Sequence, residues 1–150
     1  MFSKTLTNKT DNSPSYTFMI VSPDDSPLLY FTYANNKLEH TSQLNHLIIN
    51  AALDFADSKA STMTSCYLGK VDQYMNKIIY AYVLYSGYRL LLIIEPDSPK
   101  NDEAIKSFFI KVHERVLSKI MTPLPYWKDE GLIRDISKYF LTFTSFRDSL

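Results

Sequence analysis

From Cys66 to Glu95 the chain reads CYLGKVDQYMNKIIYAYVLYSGYRLLLIIE: one mixed stretch and two long apolar ones, separated by short polar breaks. These spacings predict three antiparallel strands. Met75-Asn76-Lys77 turns the first hairpin, and Ser86-Gly87 the second as a two-residue turn in which glycine supplies a positive φ. The apolar strands show no clean alternation, so both faces of their sheet are expected to be covered. Upstream, Tyr16 to Ser22 is β-rich, Pro23-Asp24-Asp25-Ser26-Pro27 has turn composition, and Leu28 to Tyr33 completes a first hairpin.

Three other stretches have a helical period. In LNHLIINAALDFAD, Leu44, Leu47, Ile48, Ala51, Ala52 and Phe55 recur at helical spacing, and Ile49, Leu53 and Ala56 add a second apolar flank. The polar residues His46, Asn50, Asp54 and Asp57 share one narrow arc. Thr41 or Ser42 supplies the N-cap. The apolar arc is wider than one sheet face needs, so its excess is expected to lie under a loop or face a partner. Ala34 to His40 reads as a polar connection, and Asp97 to Asn101 as a loop. Asn101 or Asp102 caps a second helix, with its stripe at Ile105, Phe108, Phe109, Val112, Val116 and Ile120; Pro123 and Pro125 end it. A last helix from about Asp129 buries Leu132, Ile133, Ile136, Phe140 and Phe143. The order is β-β-α-β-β-β-α-α. The first helix crosses over to place a strand of the second group beside one of the first, giving an α+β sandwich on a five-stranded sheet.

Composition narrows the functional classes. A length of 150 residues suits one domain, here 15–150, preceded by a polar stretch 1–14 that reads as a flexible N-terminal tail. Sixteen basic and sixteen acidic residues cancel, which argues against a nucleic-acid stripe or a polybasic membrane anchor. A single cysteine, Cys66, leaves no internal disulfide and fits a reducing compartment. The N-terminal MFSKTLTNKTDNSPS lacks the apolar core of a signal peptide, so the Asn8-Lys9-Thr10 sequon is expected to stay idle. The longest apolar run, Ile78 to Tyr85, is far short of the ~20 residues of a membrane helix.

Catalytic and metal chemistry find little support. His40, His46 and His113 are scattered rather than clustered as ligands, and His113 is expected to be solvated. Cys66 has no activating neighbour in sequence, and Gly69, Gly87 and Gly131 form no phosphate-binding loop; Gly69 reads as a bulge. Asp54 and Asp57 read as a solvated face rather than an acid pair. Ser13, Ser22, Ser26 and Ser98 precede prolines, which turn chemistry explains without phosphorylation. Trp127 either covers the end of the core or anchors a partner. No cofactor or catalytic group is expected.

The segments LNHLIINAALD, CYLGKVDQY…AYVLYSGYRLLLI and IKSFFIKVHERVLSKIMTP, in this order and spacing, resemble the sedlin family, small longin-like subunits of the TRAPP vesicle-tethering complex. The resemblance covers roughly residues 15–125 and extends to the sedlin-like paralogues. It implies a longin (SNARE-like) sandwich with one helix on one face of the sheet and two on the other. It also implies a non-catalytic adaptor that assembles with other small TRAPP subunits and with larger assembly subunits. The whole complex would act on a Rab GTPase as an exchange factor in ER-to-Golgi and Golgi traffic. A cytoplasmic chain would then meet those membranes only peripherally, through the complex. The family's aspartate after a small-Leu pair falls on Asp54, in the segment tied to assembly of larger TRAPP forms. The chain departs from the family in its longer polar N-terminal stretch. It also departs in PYWKDEGLIRDISKYF, which lacks the usual serine- and proline-bearing run before the last helix. The partner-binding candidates are Asp54, Ile49, Leu53 and Trp127. Another longin-fold trafficking protein, an adaptor small chain or a SNARE longin domain, is the alternative; a longin SNARE would be followed by heptads and an anchor. An enzyme or a binder of small apolar ligands is the third class.

Overall fold

The computed structural model describes residues 15–34, 37–39, 42–95, 102–123 and 125–148. The N-terminal stretch 1–14 with its sequon, His40, Thr41, the 97–101 loop with Ser98, and the Phe143 side chain lie outside the described residues.

The strands are β1 (Ser15–Val21), β2 (Pro27–Ala34), β3 (Lys37–Glu39), β4 (Tyr67–Tyr74), β5 (Lys77–Val83) and β6 (Arg89–Glu95). The helices are α1 (Gln43–Ala60), α2 (Asp102–Ile120) and α3 (Glu130–Asp148). The strands form one sheet in the order β3-β2-β1-β6-β5-β4, antiparallel throughout. The crossover through α1 places β6 beside β1, with Phe18 opposite Leu92. The described sheet has six strands rather than the expected five. The added strand, β3, lies in the polar connection and pairs with Thr32 to Ala34. Three residues with charges at both ends give no hydrophobic run to read.

Both faces of the sheet are covered, as the apolar strands require. Along β6, Leu90, Leu92 and Ile94 point to one side and Leu91 and Ile93 to the other. The period of two is hidden because both sides are dry. On one side, α2 and α3 pack Phe108, Phe109, Leu132, Ile136 and Phe140 against Tyr16, Phe18 and Phe31 of the sheet. The rings interlock: Tyr16 stacks on Phe140 at 3.9 Å, and Phe18 meets Phe108 edge-on at 5.9 Å. On the other side, α1 alone covers Met19, Val21, Ile79, Ala81, Leu91 and Ile93.

Turns follow the local chemistry. Met75 takes a left-handed φ of 54° between β4 and β5. The second hairpin is longer than the expected two-residue turn: Leu84 N–H bonds Tyr88 O at 2.9 Å, enclosing Tyr85, Ser86 and Gly87. Gly87 is required twice, by its φ of 98° and because a Cβ there would lie 3.1 Å from Pro23 Cβ. Gly69, at φ 76°, sits at a register shift between β4 and β5, so it is a bulge. Asp129 starts α3: its carboxylate accepts from Gly131 N at 2.9 Å and from Lys119 Nζ at 2.7 Å. The Lys119 contact, with the Gly131 amide, holds the Asp129 carboxyl below the usual carboxylate range.

Candidate partner-binding surface

Helix α1 is positioned at its start, middle and end. Ser42 is the N-cap and accepts from Asn45 N at 3.1 Å. One turn in, the Asn45 side chain is buried rather than solvated. Its Nδ2 donates to Thr17 Oγ1 at 2.9 Å, and Thr17 in turn bonds Thr32 Oγ1 at 2.9 Å. Farther along, Ala52 and Ala56 are wholly buried, so the helix backbone lies close on the sheet. Near the C-terminal end, Asp57 accepts from Arg89 Nη1 at 2.9 Å.

Arg89 is a buried cation at the start of β6, 4% exposed. Its Nη2 also donates to Ser22 O at 2.7 Å and to Asp25 at 2.5 Å. The guanidinium therefore ties α1 to the β1–β2 turn. Its fork of donors in a fixed plane suits three acceptors from two separate segments. Asp57 is thus an anchor of the helix rather than a free member of a solvated face.

These contacts fix which side of α1 faces outward. Asn45, Ile48, Ile49, Ala52 and Ala56 face the sheet. Leu44, Leu47 and Phe55 face away and are 43%, 65% and 54% exposed. With the exposed Ala51 they form an apolar strip at helical spacing along the outer side. Asp54 is exposed on the edge of this strip, three residues from Ala51 and seven from Leu47. A separate ring contact, Tyr30 edge-on to His46 at 4.6 Å, joins β2 to the helix.

Of the sequence candidates, Asp54 is therefore at the surface. Ile49 is wholly buried against the sheet, so its side chain does not form part of the outer face. Leu53 is half-buried at the margin of the α1-side core. Trp127 is half-buried and packs beside Tyr88 at 6.1 Å, covering the end of the larger core. The helix is rotated from the expected stripe: Leu44, Leu47 and Phe55 of that stripe face outward, and Ile49 and Ala56 of the second flank face the sheet. His113 also differs from expectation. It is half-buried, and its Nδ1 lies 2.6 Å from the Tyr82 hydroxyl.

Comparisons with known proteins place this architecture. The sedlin family model matches residues 20–141. The chain belongs to the sedlin family. Among its relatives, the transport protein particle 20 kDa subunit of Schizosaccharomyces pombe is 32% identical over 108 residues, 69% of this chain and 77% of that protein. The probable trafficking protein particle complex subunit 2 of Caenorhabditis elegans is 31% identical over 111 residues, covering 71% and 77%. The trafficking protein particle complex subunit 20 of Saccharomyces cerevisiae is 28% identical over 148 residues, covering 73% and 84%. The α+β sandwich, with α1 on one face and α2 and α3 on the other, is the longin-like fold expected of a sedlin-family chain.

Proposed function

We propose that this sedlin-family chain is a non-catalytic adaptor subunit of a TRAPP-type tethering complex, and that the outward face of α1 is one of its docking surfaces. The names of its relatives support membership in a trafficking particle. The exposed strip Leu44, Leu47, Ala51 and Phe55 carries the docking reading. It is a line of apolar side chains on a rigidly anchored helix, facing away from the core that the helix itself covers. Asp54 at its edge offers a carboxylate to a donor on the partner.

In this reading the chain contributes surfaces, through residues 15–150 as one longin-like unit. It joins other small TRAPP subunits and larger assembly subunits into an exchange factor for a Rab GTPase in ER-to-Golgi and Golgi traffic. Membrane contact is peripheral and made by the complex; among the described residues no helix is long and apolar enough to cross a membrane. Purification of the tagged native chain at moderate salt, with sizing and identification of the proteins that accompany it, tests this. The expected result is a large assembly containing the other small TRAPP subunits. A free 17.4 kDa monomer, or recovery with adaptor large chains instead, would contradict it.

A further inference from the structure

Between α3 and the outer strands of the sheet lies a cleft of about 700 Å³, far from the α1 face. Tyr33 of β2 and Leu38 of β3 form its sheet-side wall. Ile133 and Leu141 of α3 form the apolar part of the other wall. The volume lies within the ~300–1,000 Å³ of small-molecule sites.

An apolar concavity alone names no ligand, but two further features do. Ser137 lines the cleft and is only 8% exposed, yet its Oγ has no well-formed hydrogen bond to any of the described residues. Tyr16, wholly buried, likewise has a hydroxyl with no well-formed hydrogen bond among the described residues. The two hydroxyls lie close together: burial drives the Tyr16 pKa far up, and Ser137 opposes that rise. Buried hydroxyls are seldom left without a partner, so the wall has unused capacity to donate. The second feature is charge. Arg134 and Lys138 stand exposed at the rim, and neither is in an ion pair with a described residue. Among the described lining residues Glu130 is the carboxylate, so cations outnumber anions there.

We infer that this cleft binds a single-chain amphiphile with an anionic head group. The chain lies between Tyr33, Leu38, Ile133 and Leu141. The carboxylate or phosphate rests on Arg134 and Lys138, and one of its oxygens accepts from Ser137. A peptide suits the walls less well. Its backbone N–H groups need acceptors, whereas these walls offer mainly donors and apolar area.

The test titrates the purified full chain with oleate and with oleoyl lysophosphatidate below their micelle concentrations. Native mass spectrometry reads stoichiometry, and displacement of a fluorescent fatty acid reads affinity. Saturable uptake of one equivalent is expected, and the tighter of the two ligands identifies the head group. Arg134→Glu with Lys138→Glu should weaken binding by about tenfold or more, through loss of charge-assisted contacts. Oleyl alcohol should bind more weakly than either acid, and Phe55→Ser on α1 should bind as the parent does. No saturable uptake of either anion would overturn the inference. So would equal affinity for the alcohol, undiminished binding by the charge-reversed variant, or partition only into anionic vesicles.

Discussion

On one face of the sheet, two helices press phenyl rings into a layer of tyrosines and phenylalanines; on the other, one helix rests on the sheet through two isoleucines and two alanines. The first face is thick and aromatic, and the described rings of α2 and α3 in it, Phe108, Phe109 and Phe140, are wholly inside. The second is thin: Ala52 and Ala56 let α1 approach closely, and Asn45 and Arg89 hold its register by polar contacts. A helix that buries Ile48, Ile49 and two alanines inward still carries Leu47 and Phe55 outward. The aromatic face supplies stability, and the α1 face sets the orientation of a surface.

The largest effect should come from the aromatic side. Phe108→Ala should cost about 3–5 kcal/mol in chemical denaturation, through lost burial and the cavity left behind. A cost below about 1 kcal/mol would mean that the ring layer does not dominate stability. Next, Ala56→Leu should destabilise by about 1–3 kcal/mol, because the added atoms must enter the close contact between α1 and the sheet. A neutral result would show that the α1 interface is loose, and the comparison would lose its second half.

A smaller effect concerns pH on the aromatic side. Burial lowers the His113 pKa below its ordinary 6.5, with Glu114 opposing. The unfolded chain then binds the proton at higher pH than the folded one, so stability is intact above about pH 6.5 and falls as pH drops below it. With the proton on Nε2, the Tyr82 hydroxyl donates to Nδ1, and protonation removes that acceptor. His113→Gln should therefore lose less stability than the parent when pH is lowered from about 7.5 to 5.5, as read by thermal unfolding. Equal losses would place the titration elsewhere.

Much of the fold was legible in the sequence. The meander from β4 to β6, both later helices and the crossover followed from apolar runs and turn residues. The phase of α1 was only partly legible. The polar arc of His46, Asn50, Asp54 and Asp57 does lie at the surface or its margin, but apolar residues fill the rest of the wheel, so spacing alone did not show that Leu47 and Phe55 face out while Ile49 faces the sheet. Asn45, opposite that arc, is held inside by Thr17 on β1. The strand β3 carries no sequence signal, because three residues are too few to show a period. Arg89 reads as a charged interruption in an apolar strand, since its acceptors, Asp57 and the 22–25 turn, lie 32 to 67 residues away in sequence. One signal was available: Ala52 and Ala56, one turn apart, mark the side of a helix that can lie closest to a sheet.

The most direct test of the docking surface is the paired variant Leu47→Ser with Phe55→Ser, compared with the parent for both unfolding and recovery of accompanying TRAPP subunits from native cells. Because both side chains face outward, unfolding free energy should stay within about 0.5 kcal/mol of the parent. Recovery of the partners should fall severalfold, with Asp54→Tyr giving a similar loss. Unchanged recovery from a normally folded variant would contradict the account and move the docking surface off α1.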